Sequence, residues 1–217
     1  MNFLLKVCKI FFVWRYPSYI TYINHKYVLP KIVAHKGVQL GINVSFIGIP
    51  IVSIEPGSVI KIGNDAVLCS KAKQTALGVN HPIVLRTLRE GALLEIGHGV
   101  RMSGTTICAA RSVVIGDNTC LGANVTIADT DFHSLDHTIR SSESDQDFAT
   151  DACVDIGANV FVGVGCYILK GVSIGEGAII GAGSVVAKSI PAFVIAAGNP
   201  AKVLGAVPGH SLPDDRA

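Results

Sequence analysis

Residues 156–190 read IGANVFVGVGCYILKGVSIGEGAIIGAGSVVAKSI, and one period runs through them. Ile156, Val162, Ile168, Ile174, Ile180 and Val186 fall every six residues. Gly157, Gly163, Gly175, Gly181 and Ala187 follow them directly, with Leu169 the exception. Four positions after each aliphatic stands Val160, Cys166, Val172, Ala178, Ser184 or Ile190, mostly small. A helix repeats near 3.6 residues and a plain strand near 2, so neither accounts for a strict six. A hexapeptide period predicts a parallel β-helix. Each hexapeptide is one short strand and a corner, and three form a triangular coil of about eighteen residues that buries its neighbour's face. The aliphatic and the small residue point inward. The Gly or Ala marks the corner, where backbones approach closely and a positive φ is expected.

The period continues upstream less regularly. Ile96, Met102 and Cys108 keep the spacing, then one extra residue precedes Ile115, Leu121 and Ile127. Ile62 and Leu68 fit one coil, whereas Ile42, Ile47, Ile54 and Ile60 hold no clean register. The expected organisation is a capping segment over 1–30, a solenoid over 31–200 interrupted at 128–152, and a tail over 201–217.

Composition agrees with a narrow aliphatic prism. Aromatics make up 6% of the 217 residues, charged residues 16%, and 23 residues are Gly. That length fits one domain. A net charge of +2 gives no reason to expect nucleic acid as a partner. Mean hydropathy of +0.48 is high for a soluble monomer and points to outer faces buried in an oligomer. Cys8, Cys69, Cys108, Cys120, Cys153 and Cys166 form no CxxC or other metal spacing, so reduced core cysteines in a cytoplasmic protein are expected. In the first twenty residues, Phe3, Leu4, Val7, Phe11 and Trp14 sit at helical spacing, broken by Lys6, Lys9 and Arg15. This segment is too interrupted to span a bilayer. It reads as an amphipathic helix that caps the open end of the solenoid or rests on the inner membrane surface.

The interruption, ADTDFHSLDHTIRSSESDQDFATDA over 128–152, is polar and acidic. It carries His133 and His137 among Asp129, Asp131, Asp136, Glu143 and Asp145. A loop projecting from a rigid scaffold is where sites concentrate. A histidine held by a carboxylate is a general base near neutral pH.

Several segments together resemble one family. IADTDFHSLD resembles the His-Pro-Leu-Asp segment of the hexapeptide sugar O-acetyltransferases, which include maltose, galactoside and nodulation-factor acetyltransferases. IGEGAIIGAGSVVAKSIP (174–191) and AAGNPAKVLG (196–205) are similar to that family's last coil and exit. NHPIVLRTLREGALLEIG (80–97) resembles the capsule and exopolysaccharide branch. The resemblance covers roughly residues 40–205 and implies a left-handed β-helix, a homotrimer and acetyl-CoA as donor, with no metal. It places His133 as the base, and of the nearby carboxylates Asp129, Asp131 and Asp136 that could orient it, Asp131 is slightly favoured. It places Gly163, Gly181, Ala182, Ser184, Lys188 and Lys202 along the CoA groove, the lysines toward its phosphates.

Two departures concern the acceptor. The acceptor-binding Asn of galactoside-type members is missing from MSGTTIC, where Thr105 stands nearby, and their Trp after the loop is Phe161. Thr105, Asp136 and Phe161 are the expected acceptor contacts. The expected reaction is direct attack of a polysaccharide or sugar-precursor hydroxyl on the thioester, with a backbone N–H receiving the oxyanion. Acetylation of a nucleotide-linked amino sugar on nitrogen is the alternative acceptor chemistry.

Three other readings compete. A cysteine nucleophile would use Cys120 or Cys153, which flank the loop, but both stand where the repeat takes a small residue. A γ-type carbonic anhydrase needs three histidines around a metal, and His81 and His98 lie coils away from His133. A non-catalytic trimeric scaffold would be expected to lose the loop histidine or the last-coil glycines, and this chain keeps both.

Overall fold

The structure, a computed structural model, describes residues 23–142 and 145–212. The expected helix over the first twenty residues lies outside them. Among the described residues, short strands stack into three sheets that form the faces of a triangular prism. The first face holds β1 (Gln39–Leu40), β4 (Val59–Ile62), β7 (Leu93–Ile96), β10 (Ser112–Ile115), β13 (Val154–Ile156) and β16 (Ser173–Ile174). The second holds β2 (Ser45–Ile47), β5 (Val67–Cys69), β8 (Arg101–Ser103), β11 (Cys120–Ala123), β14 (Phe161–Val162) and β17 (Ile179–Ile180), and ends in β19 (Val194–Gly198) and β20 (Ala201–Ala206). The third holds β3 (Ile51–Ser53), β6 (Val84–Thr87), β9 (Thr106–Ala109), β12 (Thr126–Ala128), β15 (Tyr167–Ile168) and β18 (Val185–Val186). The chain visits the faces in rotation and winds a left-handed parallel β-helix.

The period of six is the step from face to face. On the third face, Val52, Leu85, Ile107, Ile127, Ile168 and Val186 stack in register, each on its equivalent one coil away. The small positions Val160, Cys166, Val172, Ala178, Ser184 and Ile190 are all buried, as their size suggested.

The two demands expected of the corner glycine fall on different residues. Close approach belongs to the position after the aliphatic: a Cβ on Gly163 would stand 2.5 Å from the amide nitrogen of Ala182 in the next coil. Positive φ falls two residues later, at Gly165, Gly171, Gly177 and Gly183, and at Asn118, Asn124 and Asn159, whose short side chains tolerate it.

One corner adds a side-chain ladder. The N–H of Ile42 donates to Asn64 Oδ1 (2.9 Å), that of Asn64 to His98 Nδ1 (2.9 Å), and that of His98 to Asp117 Oδ1 (2.7 Å). Each coil thereby satisfies an amide of the coil before it.

Upstream, Ile62, Leu68, Ile96, Met102, Ile115 and Leu121 hold the expected register, and the first coil and β9 complete it with other residues. Leu40, Phe46 and Val52 hold the six-residue step in the first coil, while Ile42 is exposed. Ile107, not Cys108, occupies the inward position of β9. The solenoid begins at Gln39, later than residue 31, because α1 (Leu29–His35) runs through that stretch and buries Leu29 and Val33 in the core. Residues 70–83 form a second excursion, with a 3₁₀ turn over Ala72–Gln74. The stretch expected as tail includes β20, which folds back antiparallel on β19. None of the described helices is long and apolar enough to cross a membrane.

Ile127→Ala should lower unfolding free energy by about 2–5 kcal/mol, because its site lies between two stacked coils and cannot collapse. Ile42→Ala should stay within about 0.5 kcal/mol. Chemical denaturation of both variants checks the register directly.

Candidate functional site

The insertion leaves the prism at the end of β12 and returns before β13. Its root is Asp129, fully buried, whose carboxylate accepts the N–H groups of Ala110 (2.6 Å), Arg111 (2.7 Å) and Ser112 (2.7 Å). The neck closes where Thr130 pairs antiparallel with Asp151 and the N–H of Ala152 donates to the Asp129 carbonyl (2.8 Å). Arg89 ties the loop from outside. It pairs with Asp151 at 3.0 Å and donates to the Gln146 carbonyl at 2.9 Å.

Inside the loop, Arg140 Nε donates to the Ser134 carbonyl and its Nη2 to the Leu135 carbonyl, both at 2.9 Å. A 3₁₀ turn, Asp145–Phe148, brings Asp145 back against His133. His133 Nδ1 lies 2.5 Å from Asp145 Oδ2, and Asp145 Oδ1 accepts the Ser134 N–H at 2.7 Å. The carboxylate has only 8% of its side chain exposed, while the imidazole has 61%. A buried acid thus holds an exposed base. The hydrogen bond from His133, and then that from Ser134, keep the Asp145 pKa below the usual carboxylate value. An ionised Asp145 accepts the Nδ1 proton, so Nε2 carries the free lone pair.

Phe132, immediately before the histidine, has φ of +63°, with its N–H donating to Thr130 Oγ1 (3.1 Å). A bulky residue in the left-handed region is uncommon and signals a local constraint. Phe132 and Thr130 form a wall between two cavities. One, of about 530 Å³, is lined by His133, Arg86, Arg89, Cys108 and Asp147. The other, of about 440 Å³, runs along β12, β15 and β18 and is lined by Tyr167, Leu169, Lys170, Asp131 and Ala187.

The residues expected from sequence separate into groups. His133 lines the first cavity. Asp131 does not orient it: Asp131 lines the other cavity and pairs with Lys170 at 3.3 Å. Asp129 is committed to backbone amides, and Asp136 to a local turn with Thr138, whose hydroxyl and N–H lower its pKa. Thr105 and Ser184 are buried inside the prism, where an inward small residue is required, so neither faces a substrate. Ser184 Oγ spans the last coils, donating to the Gly181 carbonyl (2.6 Å) and accepting the Gly198 N–H (3.1 Å). Gly163 is a buried corner. Ala182, Lys188 and Lys202 are exposed, and Phe161 is exposed on the second face, away from the loop.

Five thiols are described and all are free. Neither Cys120 nor Cys153 lines the cavity of His133, whereas Cys108 does, and burial pushes its thiol pKa up. Among the described residues, no three His, Cys, Asp or Glu side chains gather as metal ligands would.

Two protein-family models match this chain. The bacterial transferase hexapeptide, six repeats, matches residues 154–188, and the hexapeptide repeat of succinyl-transferase matches residues 112–128. Those two stretches carry hexapeptide repeats. A search of curated proteins returned no match. Among solved structures, this hexapeptide-repeat chain is similar to a mutant of AntD, an N-acyltransferase from Bacillus cereus in complex with dTDP-4-amino-4,6-dideoxyglucose and coenzyme A. The TM-score is 0.59 at 16% identity, over 85% of this chain and 91% of that one. A hexapeptide-repeat containing acetyltransferase from Vibrio cholerae matches with TM-score 0.50 at 18% identity, over 85% and 84% of the two chains. A maltose O-acetyltransferase from Clostridium difficile 630 shares 28% identity over 75% and 70%, with TM-score 0.46.

The depressed Asp145 pKa has a defined sign in stability. Its contribution is fully present above the unfolded carboxylate pKa of about 3.9 and is lost as pH falls through the lower folded value. Melting temperature should therefore fall below about pH 4, and Asp145→Asn should flatten that slope. Equal slopes in both proteins would show that the pair adds nothing.

Proposed function

We propose that this chain is an acetyl-CoA-dependent O-acetyltransferase acting on a hydroxyl of a surface or capsular polysaccharide or of its sugar precursor. The observation that carries the reading is the His133–Asp145 pair: a buried carboxylate holding an exposed imidazole at a cavity wall, on a loop inserted into a hexapeptide solenoid. The similar N-acyltransferase from Bacillus cereus, solved in complex with coenzyme A, supports a reading of acyl transfer.

His133 Nε2 takes the proton from the acceptor hydroxyl. The acceptor oxygen bonds to the acetyl carbonyl carbon, the carbon–sulfur bond breaks, and the imidazolium returns the proton to the departing thiolate. Asp145 stabilises the imidazolium between these steps and holds the ring in one tautomer. Positioning both reactants on a rigid loop and solenoid supplies much of the acceleration. Cys108, kept as a neutral thiol by burial, takes no part in this direct route.

The second cavity suits the donor. Tyr167, Leu169 and Ala187 offer an apolar track for an extended aliphatic chain, and Lys170 sits at the same groove. Lys188 follows Ala187, and with Lys202 it is the proposed partner of the CoA phosphates, Gly181 and Ala182 forming the adjoining wall. The exposed apolar Tyr167 and Leu169 favour a homotrimer in which this groove runs between neighbouring subunits.

The test is thiol release from acetyl-CoA over a panel of sugars, oligosaccharides and nucleotide-linked amino sugars. His133→Ala should lower kcat by about 10²–10⁴-fold with the KM for acetyl-CoA nearly unchanged. Asp145→Asn should cost more than Asp131→Asn. Undiminished kcat in His133→Ala would overturn the assignment, and turnover of amino sugars alone would move the acceptor chemistry to nitrogen.

A further inference from the structure

We infer that the cavity beside His133 takes an acceptor carrying an anionic group, a carboxylate or a phosphate, and that Arg86 is the residue that holds it. This rests on the acetyltransferase reading and adds the class of acceptor.

Arg86 stands on β6 and projects outward from the third face, in register between Ser53 of the preceding coil and Cys108 of the following one. It lines the same cavity as His133. That cavity has two guanidinium groups in different situations. Arg89 is fully engaged, with Asp151 on one side and the Gln146 carbonyl on the other. Arg86 makes no ion pair or hydrogen bond with any described side chain or carbonyl, and Asp147, the carboxylate that also lines the cavity, forms no ion pair with it. Cys108 beside it gives no counter-charge, since burial keeps its thiol protonated.

A permanent positive charge therefore faces the acceptor space without a partner. Guanidinium is a planar fork that matches carboxylate and phosphate oxygens two at a time, and it stays charged at any working pH. A uronic acid residue and a sugar phosphate present the same chemistry to it. The donor phosphates are the less suitable occupant, because Phe132 and Thr130 separate this cavity from the apolar groove along β15 and β18.

The experiment compares kcat/KM for galactose, galacturonate and galactose 1-phosphate, and for oligosaccharides with and without uronic acid, in the wild-type protein, Arg86→Gln and Arg86→Lys. The expected wild-type preference for one anionic series is about 10–100-fold, on the scale of a charge-assisted bidentate contact. Which series is preferred distinguishes carboxylate from phosphate. Arg86→Gln should remove the preference by slowing only the anionic acceptors. Arg86→Lys should restore part of it, with the KM for acetyl-CoA and the oligomeric state unchanged. Equal loss on neutral and anionic acceptors, a raised KM for acetyl-CoA, or subunit dissociation in Arg86→Gln would each overturn the inference and leave acetyl transfer standing. An absence of His133-dependent turnover on every acceptor would overturn both.

Discussion

Stacking of like on like is the constraint from which the rest of this molecule follows. Each inward side chain rests on its counterpart one coil away, and each strand takes its amide partners from the coils above and below. Strand spacing of about 4.8 Å then sets how near the corners must come. At that distance a Cβ on Gly163 would collide with the following backbone, so the corner position is small for reasons of space. The prism is narrow for the same reason, and the buried small residues Ala178 and Ser184 are its dimension written in side chains. A chain bound by this rule has freedom only at corners. Both excursions, at 70–83 and after β12, leave and return there.

Freedom at a corner would ordinarily mean a floppy loop, yet the one bearing His133 is densely tied. Asp129 holds three amides at its root, Arg89 grips it from outside, Arg140 caps two of its carbonyls, and Asp145 joins its two halves through the imidazole and the Ser134 amide. Charged side chains do here what apolar stacking does in the prism. They order an irregular backbone whose amides have no neighbouring strand to pair with. One of the groups that build the loop, Asp145, also holds the His133 imidazole in place.

The architecture was legible because it depends on a repeat, and a repeat is a property of sequence. It was clearest where strand and corner alternate without insertion, from Ile156 onward. It blurred upstream, where the conspicuous Ile42 is exposed and Leu40, Phe46 and Val52 hold the six-residue step. Hydrophobicity marks candidates for the core, but the face of a strand is set by register with the next coil. His133 was legible as a histidine placed at a break in the repeat. Its partner was not, because nearness along the chain favours Asp131, whereas the 3₁₀ turn folds Asp145 back across twelve residues. Thr105 and Ser184 show the opposite failure. Their hydroxyls suggest recognition, and their repeat positions make them core, with Ser184 satisfied by backbone groups of the last coils. Arg86 and Lys170 carried no local signal. Their importance lies in which coil they stack beside.

The wall made by Phe132 and Thr130 has a consequence for traffic. Two cavities that share one partition give the two proposed substrates separate spaces, so the thioester and the acceptor hydroxyl have to meet at the edge of the Phe132 ring. Because Phe132, the larger half of that partition, is held by a left-handed backbone turn, a smaller side chain there would merge two private entrances into a common hall.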